Sequence, residues 1–159
     1  MYYTIPVGTL ALLATVASAE TITVEVGKDH ELTFSPDSIK ANTGDIVEFH
    51  FNNARHDVIA GDFQNPCHPA DPAASGGFYS GDRRNGTFCI TVNNTDPVFF
   101  YCSVGRHCQN GMVGVINEGS NKLDDFKSAA ANVGASRKPM VPFGGSDCPS
   151  KFVDWELKV

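Results

Sequence analysis

Alternating apolar and polar positions recur in short runs along the chain and predict β-strands. In residues 21–26, Ile22, Val24 and Val26 alternate with polar side chains, so a strand here would bury one face. Similar runs predict further strands, separated by turn-forming residues, at 31–35, 45–51, 56–60, 86–92, 97–102 and 112–117. Several short strands joined by turns are typical of an all-β sandwich.

Two segments depart from this alternation. Residues 61–82 are rich in Gly, Pro, Asp and Ser and predict an irregular connection. Residues 121–133 predict a short helix that begins after an N-cap at Ser120 and ends at a C-cap at Gly134. Its apolar stripe consists of Leu123, Phe126, Ala130 and Val133.

The final segment, residues 135–159, contains Cys148 and a cluster of apolar residues, and we expect it to fold back over the sandwich. The apolar cluster comprises Phe152, Val153, Trp155 and Leu157. In the run 86–92, Phe88, Ile90 and Val92 share one face, which must be the core face. Cys89 therefore points outward, where it could form a disulfide with a segment lying over the sheet.

The first 19 residues have the composition of a signal peptide. An apolar run at 7–17 ends in Ala17-Ser18-Ala19, a small-residue cleavage pattern, which predicts a mature chain beginning at Glu20. This run is shorter than the ~20 apolar residues that span a bilayer. The C-terminal residues are polar and lack the hydrophobic tail of a GPI signal. We therefore expect a secreted, extracellular monomer without a membrane span or GPI anchor, soluble or associated with a cell wall.

The net charge of the chain limits the classes of partner that it can be expected to bind. The sequence has 12 Lys and Arg against 18 Asp and Glu, a formal net charge of −6 over 159 residues. Nucleic-acid binding needs a basic face, so this composition argues against it. The sequons at Asn85 and Asn93 are compatible with secretion and predict N-glycosylation.

The strongest chemical signal is the run from Cys102 to Met112, which we call the ligand loop. It presents a thiolate at Cys102, an imidazole at His107 and a thioether at Met112, with a second imidazole at His56. Two His, one Cys and a weakly bound Met form the ligand set of a trigonal blue-copper centre. Glycine at 105 and 111 would allow the sharp turns that such a loop needs.

Other histidines compete with His56 for the remaining ligand position. His68 follows Cys67 and ranks second, because a disulfide from Cys67 to Cys108 would bring it near the site. His30 lies in a polar turn and is expected to be solvated. His50 falls on the polar face of a predicted strand.

Structural and enzymatic alternatives explain the same residues less well. A single Cys or Met is usually core filling, but that reading accounts poorly for all four residues together. Structural zinc favours paired Cys-x2-Cys spacings, which this chain lacks. The chain also lacks the His-x-His pairs of multicopper oxidases, the His-Glu-x-x-His motif of zinc hydrolases and a His at the predicted mature N-terminus. We therefore expect that the protein is not an enzyme.

Five cysteines leave one unpaired, and metal binding by Cys102 would explain which one. The other four allow three pairings. Because Cys67 and Cys108 both lie near proposed ligands, we expect Cys67–Cys108, which would join the two ligand-bearing loops, and Cys89–Cys148.

The ligand loop resembles that of phytocyanins, within the cupredoxin superfamily. The segments 56–67, 77–80, 99–102 and 107–117 resemble more closely the secreted fungal cupredoxin-like proteins known as extracellular serine-rich proteins. The resemblance covers about residues 21–133. It implies a Greek-key β-sandwich, one type 1 copper held by His56, Cys102, His107 and Met112, and a disulfide like Cys67–Cys108. Cys89, Cys148 and the tail depart from the pattern of that family.

These expectations define a domain at 20–134, between the signal peptide at 1–19 and a C-terminal extension at 135–159. The function they predict is one-electron transfer through copper to an unidentified redox protein or small redox molecule. The alternative is copper capture or a surface interaction without electron transfer. His107 would be the exit for electrons, framed by Val104 and Gly111, and Arg106 and Asp57 could steer a charged partner.

Overall fold

The structure is a computed structural model that describes residues 18–71 and 76–148. Most of the predicted signal peptide, residues 1–17, lies outside the described residues. So do the apolar residues Phe152, Val153, Trp155 and Leu157 of the tail. Among the described residues, no helix is both long and apolar enough to cross a membrane.

The described residues form two facing β-sheets and one short helix, which confirms the predicted all-β sandwich. The elements are β1 Thr21–Val26, β2 Phe34–Ser35, β3 Ser38–Ile39, β4 Ile46–Phe51, β5 Ile59–Gly61, β6 Thr87–Thr91, β7 Val98–Tyr101, β8 Val113–Ile116, α1 Leu123–Ala130 and β9 Ser146–Asp147. One sheet has the strand order β2-β1-β4-β6-β9 and the other β3-β8-β7-β5. The pairs β1–β4 and β3–β8 are parallel, and the remaining pairs are antiparallel.

The longer strands lie where the alternation predicts them, whereas the short strands do not. The strand predicted at 31–35 begins only at Phe34, because the chain first makes a 3-10 turn at Lys28–His30. The strand predicted at 56–60 begins at Ile59, and His56 pairs its backbone with Arg83 in an isolated bridge. The two-residue strands β3 and β9 were not predicted.

The main core lies between the two sheets and is rich in phenylalanine. Along β4, Val47, Phe49 and Phe51 are buried, while Glu48 and His50 are only partly buried, as the alternation predicts. The ring of Phe100 meets that of Phe49 edge-on from the opposite sheet, with centroids 5.4 Å apart. Each such aromatic pair contributes about 0.5–1.5 kcal/mol beyond its buried area. This rigid core supports the loops at its ends.

A second core lies on the outer face of the four-stranded sheet, beneath α1. Leu123, Phe126 and Ala130 of the helix are buried there and pack with Phe99 and Tyr101 of β7. The helix is shorter than predicted, and both predicted caps are wrong. The Leu123 N–H donates to the Glu118 carboxylate at 2.7 Å, so the side chain that caps the helix is not that of Ser120. The C-cap is Ala131, not Gly134.

The described part of the tail returns to the sandwich as expected, although it joins a sheet edge instead of lying over a sheet face. Phe143 pairs with Tyr79, and β9 adds to the edge of the five-stranded sheet beside β6. Cys89 projects from β6 and is disulfide-bonded to Cys148.

Candidate metal centre

The ligand loop connects β7 to β8 and is closed by its own backbone hydrogen bonds. At its mouth the Cys102 N–H donates to the Met112 carbonyl at 3.1 Å, and the Met112 N–H donates to the His107 carbonyl at 2.9 Å. Gly105 and Gly111 have φ of 52° and 92°, the left-handed region that glycine adopts without strain. The predicted turns at these glycines are therefore present, and they fold Cys102, His107 and Met112 into one compact unit.

The structure brings His56 to this loop. The Cys102 Sγ lies 3.4 Å from Nδ1 of His107 and 3.8 Å from Nδ1 of His56. One ligand atom from each of these residues falls within a group whose members are all within 4.8 Å of one another. His56 and Cys102 are fully buried, and His107 is partly exposed. Three soft or borderline donors therefore converge at a site that reaches the surface through one imidazole.

Met112 has no exposed surface and packs in the core between the sheets with Cys102. Its backbone is held by the loop closure described above. Thioether sulfur is a weak copper ligand, so Met112 would tune the potential of a bound copper without dominating its affinity.

Of the competing histidines, none joins this cluster. His68 turns its Nδ1 to the Pro66 carbonyl at 3.1 Å. His50 lies 2.9 Å from Glu48 on the outer face of β4, and His30 is exposed. Glu48 also lies close to Cys89 and Cys148, but the disulfide removes both thiols as ligands.

Glycine at position 27 makes room for the His56 ring. A Cβ on Gly27 would lie 2.3 Å from His56 Nε2, and the residue has a φ of +69°. The Nε2 atom is buried and has no hydrogen-bond partner among the described residues. The ring is thus positioned by contact with the backbone at Gly27, which leaves its Nδ1 facing Cys102.

A buried carboxylate joins the two ligand-bearing segments. Asp57 is fully buried and accepts hydrogen bonds from the Ser103 N–H, at 2.6 Å, and from the Ser103 hydroxyl. Asp57 follows His56 and Ser103 follows Cys102, so these bonds fix the spacing of the two ligands. The idea that Asp57 steers a partner is wrong, because a fully buried side chain cannot meet one.

Burial controls the protonation of the three donors. It lowers the pKa of His56 to about 4, with a further contribution from His107, and it also lowers the pKa of His107. Both imidazoles are therefore neutral at pH 7 and offer a lone pair. Burial, followed by the nearby Asp57, raises the pKa of the Cys102 thiol. A bound cation would reverse that effect and favour the thiolate.

The disulfide Cys67–Cys108 braces the ligand loop from behind. Both cysteines are fully buried in the core beneath α1, and Cys108 directly follows His107. The structure contains this disulfide and Cys89–Cys148, the two pairs expected from the sequence, and Cys102 is its free cysteine.

Gly27 and Ser103 were not predicted to belong to the site. A glycine that opens a polar turn after a strand is a common feature, so its sequence context gave no sign that it contacts a histidine 29 positions away. For Ser103, adjacency to Cys102 was the available signal. The predicted glycosylation sites Asn85 and Asn93 are exposed.

Comparisons with known proteins agree with this architecture. The family model of the plastocyanin-like domain matches residues 25–112. The "Probable GPI-anchored cupredoxin-1" of Arthroderma benhamiae is 41% identical over 141 residues, covering 87% of this chain and 74% of that protein. An "Extracellular serine-rich protein" of the same fungus is 43% identical over 140 residues, covering 84% of this chain but only 54% of that one.

Among solved structures, oxidised plastocyanin from Dryopteris crassirhizoma is 25% identical and superposes with a TM-score of 0.47, covering 59% of this chain and 96% of that one. The family model and the fungal relatives, together with the two-sheet sandwich, lead to one conclusion. This chain belongs to the plastocyanin-like, or cupredoxin, family.

Proposed function

We propose that the protein is a mononuclear type 1 copper protein that carries out one-electron transfer. The observation that carries the proposal is the convergence of one ligand atom each from His56, Cys102 and His107 within 4.8 Å of one another, with the Cys102 Sγ 3.8 Å from His56 Nδ1 and 3.4 Å from His107 Nδ1. The donor set fits copper: two neutral imidazoles, one thiol that a cation would deprotonate, and the thioether of Met112, a buried residue of the same core cluster as Cys102.

The residues around the donors suit electron transfer because they resist rearrangement. The Ser103–Asp57 bonds, the loop closure at Met112 and the disulfide Cys67–Cys108 each fix a ligand-bearing segment. Copper held by these residues would supply a one-electron couple between Cu(I) and Cu(II). A framework that holds its ligands in place keeps the reorganisation between the two states small, and the partly exposed His107 edge provides the route to a partner.

We extend the proposal to location and organisation. The two fungal relatives are named as GPI-anchored and extracellular proteins. Together with the predicted signal peptide, these names support an extracellular protein whose copper domain spans residues 20–134, followed by the extension at 135–159. We propose an electron carrier and not an enzyme, with an unidentified redox partner.

The test is copper loading of wild type, Cys102→Ser and the double variant Cys89→Ser/Cys148→Ser. Wild type is expected to bind one Cu(II) per chain and to show an intense thiolate-to-copper band, which Cys102→Ser loses completely. Cys89→Ser/Cys148→Ser makes the same kind of substitution at a disulfide that holds no proposed ligand, so it should keep the band. A band that survives Cys102→Ser contradicts the ligand set. A sluggish or irreversible couple in voltammetry contradicts electron transfer and favours copper capture.

A further inference from the structure

The residues that surround the candidate metal centre differ in charge from the rest of the chain. Four segments border it: 53–57, 80–84, the ligand loop from residue 103 onward, and 134–142. Together they contain six Lys or Arg and two Asp, a formal charge of +4, or +3 once Asp147, which pairs with Arg83, is included, whereas the whole chain is at −6. One of the two aspartates, Asp57, is fully buried. Positive charge is therefore concentrated around the site of an acidic protein.

The contacts of the tail show how this charge is assembled. Arg106 of the ligand loop donates to the Gly134 carbonyl at 3.2 Å. Three residues later, the Arg137 N–H donates to the Cys67 carbonyl at 2.9 Å, and the Arg137 carbonyl accepts the Tyr101 hydroxyl at 2.6 Å. The tail thus runs beside the disulfide-braced loop and adds its own cations there.

A second set of contacts joins the tail to the His56 side of the site. Lys138 lies 2.7 Å from Asp82, and Arg55, which precedes His56, pairs with the other oxygen of the same carboxylate. One carboxylate thus faces two cations, which leaves excess positive charge. The side chains of Arg55 and Lys138 are 55% and 39% exposed, and Arg106 and Arg137 are exposed. We call these four residues the cationic patch.

The same stretch of tail presents apolar surface to solvent. Met140 is 99% exposed and Val141 is 67% exposed, and they are the large hydrophobic residues that are exposed within the described part of the chain. Pro139 and Pro142 flank them and restrict the backbone that presents them. Exposed apolar residues rimmed by charge are characteristic of protein interaction sites.

We propose that the cationic patch, together with Met140 and Val141, docks an acidic redox-partner protein against the exposed edge of His107. This inference rests on the proposed electron transfer and identifies the class of partner. Charge complementarity would steer the encounter, since a patch of opposite sign raises association rates by one or more orders of magnitude. The apolar pair would then make the close contact that does not depend on salt.

The test compares two charge-reversed proteins of equal net charge. Arg137→Glu/Lys138→Glu reverses two charges of the patch. Lys40→Glu/Lys122→Glu reverses two exposed charges near Glu118 and Gly119, away from the candidate centre. Each copper-loaded, reduced protein is mixed in stopped flow with two oxidised haem proteins, one acidic and one basic, at low and at high salt.

For wild type, transfer to the acidic haem protein should be faster than to the basic one and should slow about tenfold or more from low to high salt. In Arg137→Glu/Lys138→Glu, the rate of transfer to the acidic haem protein at low salt should fall about tenfold, and the rate of transfer to the basic one should rise. Arg106→Glu should also slow transfer to the acidic protein. Met140→Ser/Val141→Ser should slow transfer without changing its salt dependence. Equal losses in the patch and control variants, or a wild-type preference for the basic protein, overturn the proposal.

A binding measurement separates this proposal from the proposed function. Titration of isotope-labelled protein with the acidic haem protein should shift amide signals near Arg55, Arg106, Arg137 and Lys138, whether or not copper is bound. Shifts at the patch without electron transfer would retain the docking surface and reject the electron-transfer function. Electron transfer without shifts at the patch would retain the electron-transfer function and reject the docking surface.

Discussion

At the scale of single residues, the orientation of His56 depends on the absence of a side chain at Gly27. The imidazole Nε2 is buried and lacks a hydrogen-bond partner among the described residues, so no polar contact there holds the ring. Instead the backbone of Gly27 lies against it, so closely that a Cβ would come within 2.3 Å. Steric contact on one side of the ring thus directs Nδ1 toward Cys102 on the other.

Gly27→Ala should therefore displace His56 and weaken the metal site. The added methyl collides with the imidazole, and the left-handed backbone separately costs roughly 1–2 kcal/mol with any side chain. We expect weaker Cu(II) binding and a shifted thiolate-to-copper band, measured by copper titration and visible spectroscopy.

Gly86→Ala is the matched control for that substitution. Gly86 has a φ of +83°, but nothing lies within 4 Å of the Cβ it would acquire. It should therefore lose only the roughly 1–2 kcal/mol of backbone cost, without any change in the copper band. If the spectra of the two variants change alike, contact with Gly27 does not position His56.

The Asp57–Ser103 pair leads to a separate prediction about stability. Asp57→Ala leaves the Ser103 N–H without its acceptor in a buried site, a loss of about 1–3 kcal/mol in the free energy of unfolding. Ser103→Ala removes only the hydroxyl donor and keeps the backbone bond, so it should cost less. Denaturant unfolding of the metal-free variants measures both, and equal losses would contradict the role given to the backbone bond.

The donors could be predicted from sequence because each has a distinctive chemistry and three lie in one loop. Gly27 and the Asp57–Ser103 link could not, because their roles arise only when distant segments meet. His56 and Gly27 are 29 positions apart, and Asp57 and Ser103 are 46 apart. Residue type at either position is ordinary until packing brings the pair together.

At the scale of elements, the two disulfides have different roles despite similar loops. Cys67–Cys108 spans 41 positions and ends beside a proposed ligand, whereas Cys89–Cys148 spans 59 and attaches β9 to β6. Loop-closure entropy grows only slowly with length, so each should contribute a comparable 2–4 kcal/mol or so.

Cys67→Ser/Cys108→Ser and Cys89→Ser/Cys148→Ser should therefore lower the melting temperature by similar amounts. Only the first should alter the copper band, because it releases the ligand loop. The second should instead speed amide hydrogen exchange in β6 and β9. An unaltered band in the first variant would contradict the bracing role.

Strands long enough to show alternation of buried and exposed residues could be predicted from the sequence, and two-residue strands without such a pattern could not. In β4 and β6 the buried residues follow every second position, because one face packs on the opposite sheet. In β7 both faces are covered, so its period is lost, but its aromatic run still indicates a strand. β3 and β9 have two residues each, too few for a pattern, and they exist because a neighbouring edge supplies hydrogen bonds.

At the scale of the whole molecule, the backbone just before β1 is held by the carboxylate of Asp45, the residue that precedes β4. Asp45 is almost fully buried and accepts the Glu20 N–H at 2.9 Å and the Asn42 N–H at 2.7 Å. These backbone donors lower the pKa of Asp45, that of Glu20 most strongly. Cleavage after Ala19, as the signal peptide predicts, would turn the Glu20 nitrogen into the terminal ammonium and add an opposite charge at this contact.

The mature protein should therefore lose stability when this contact is weakened, in a way that depends on pH. Because the folded-state pKa of Asp45 lies below 3.8, its ionised form stabilises the fold above that pH, and the contribution is lost as pH falls through the lowered value. Asp45→Asn should melt below wild type at pH 7, and the difference should shrink in acid below pH 3.8.

A chain that retains Ala19 provides the control, since it keeps the Glu20 N–H donor but moves the ammonium one residue away. We expect its melting temperature at pH 7 to fall between those of wild type and Asp45→Asn, because the hydrogen bond survives and the added charge does not. Thermal unfolding, with the N-terminus verified by mass spectrometry, makes the comparison. If the chain that retains Ala19 has the same melting temperature as wild type, the terminal charge contributes nothing, and the contact acts through the backbone hydrogen bond alone.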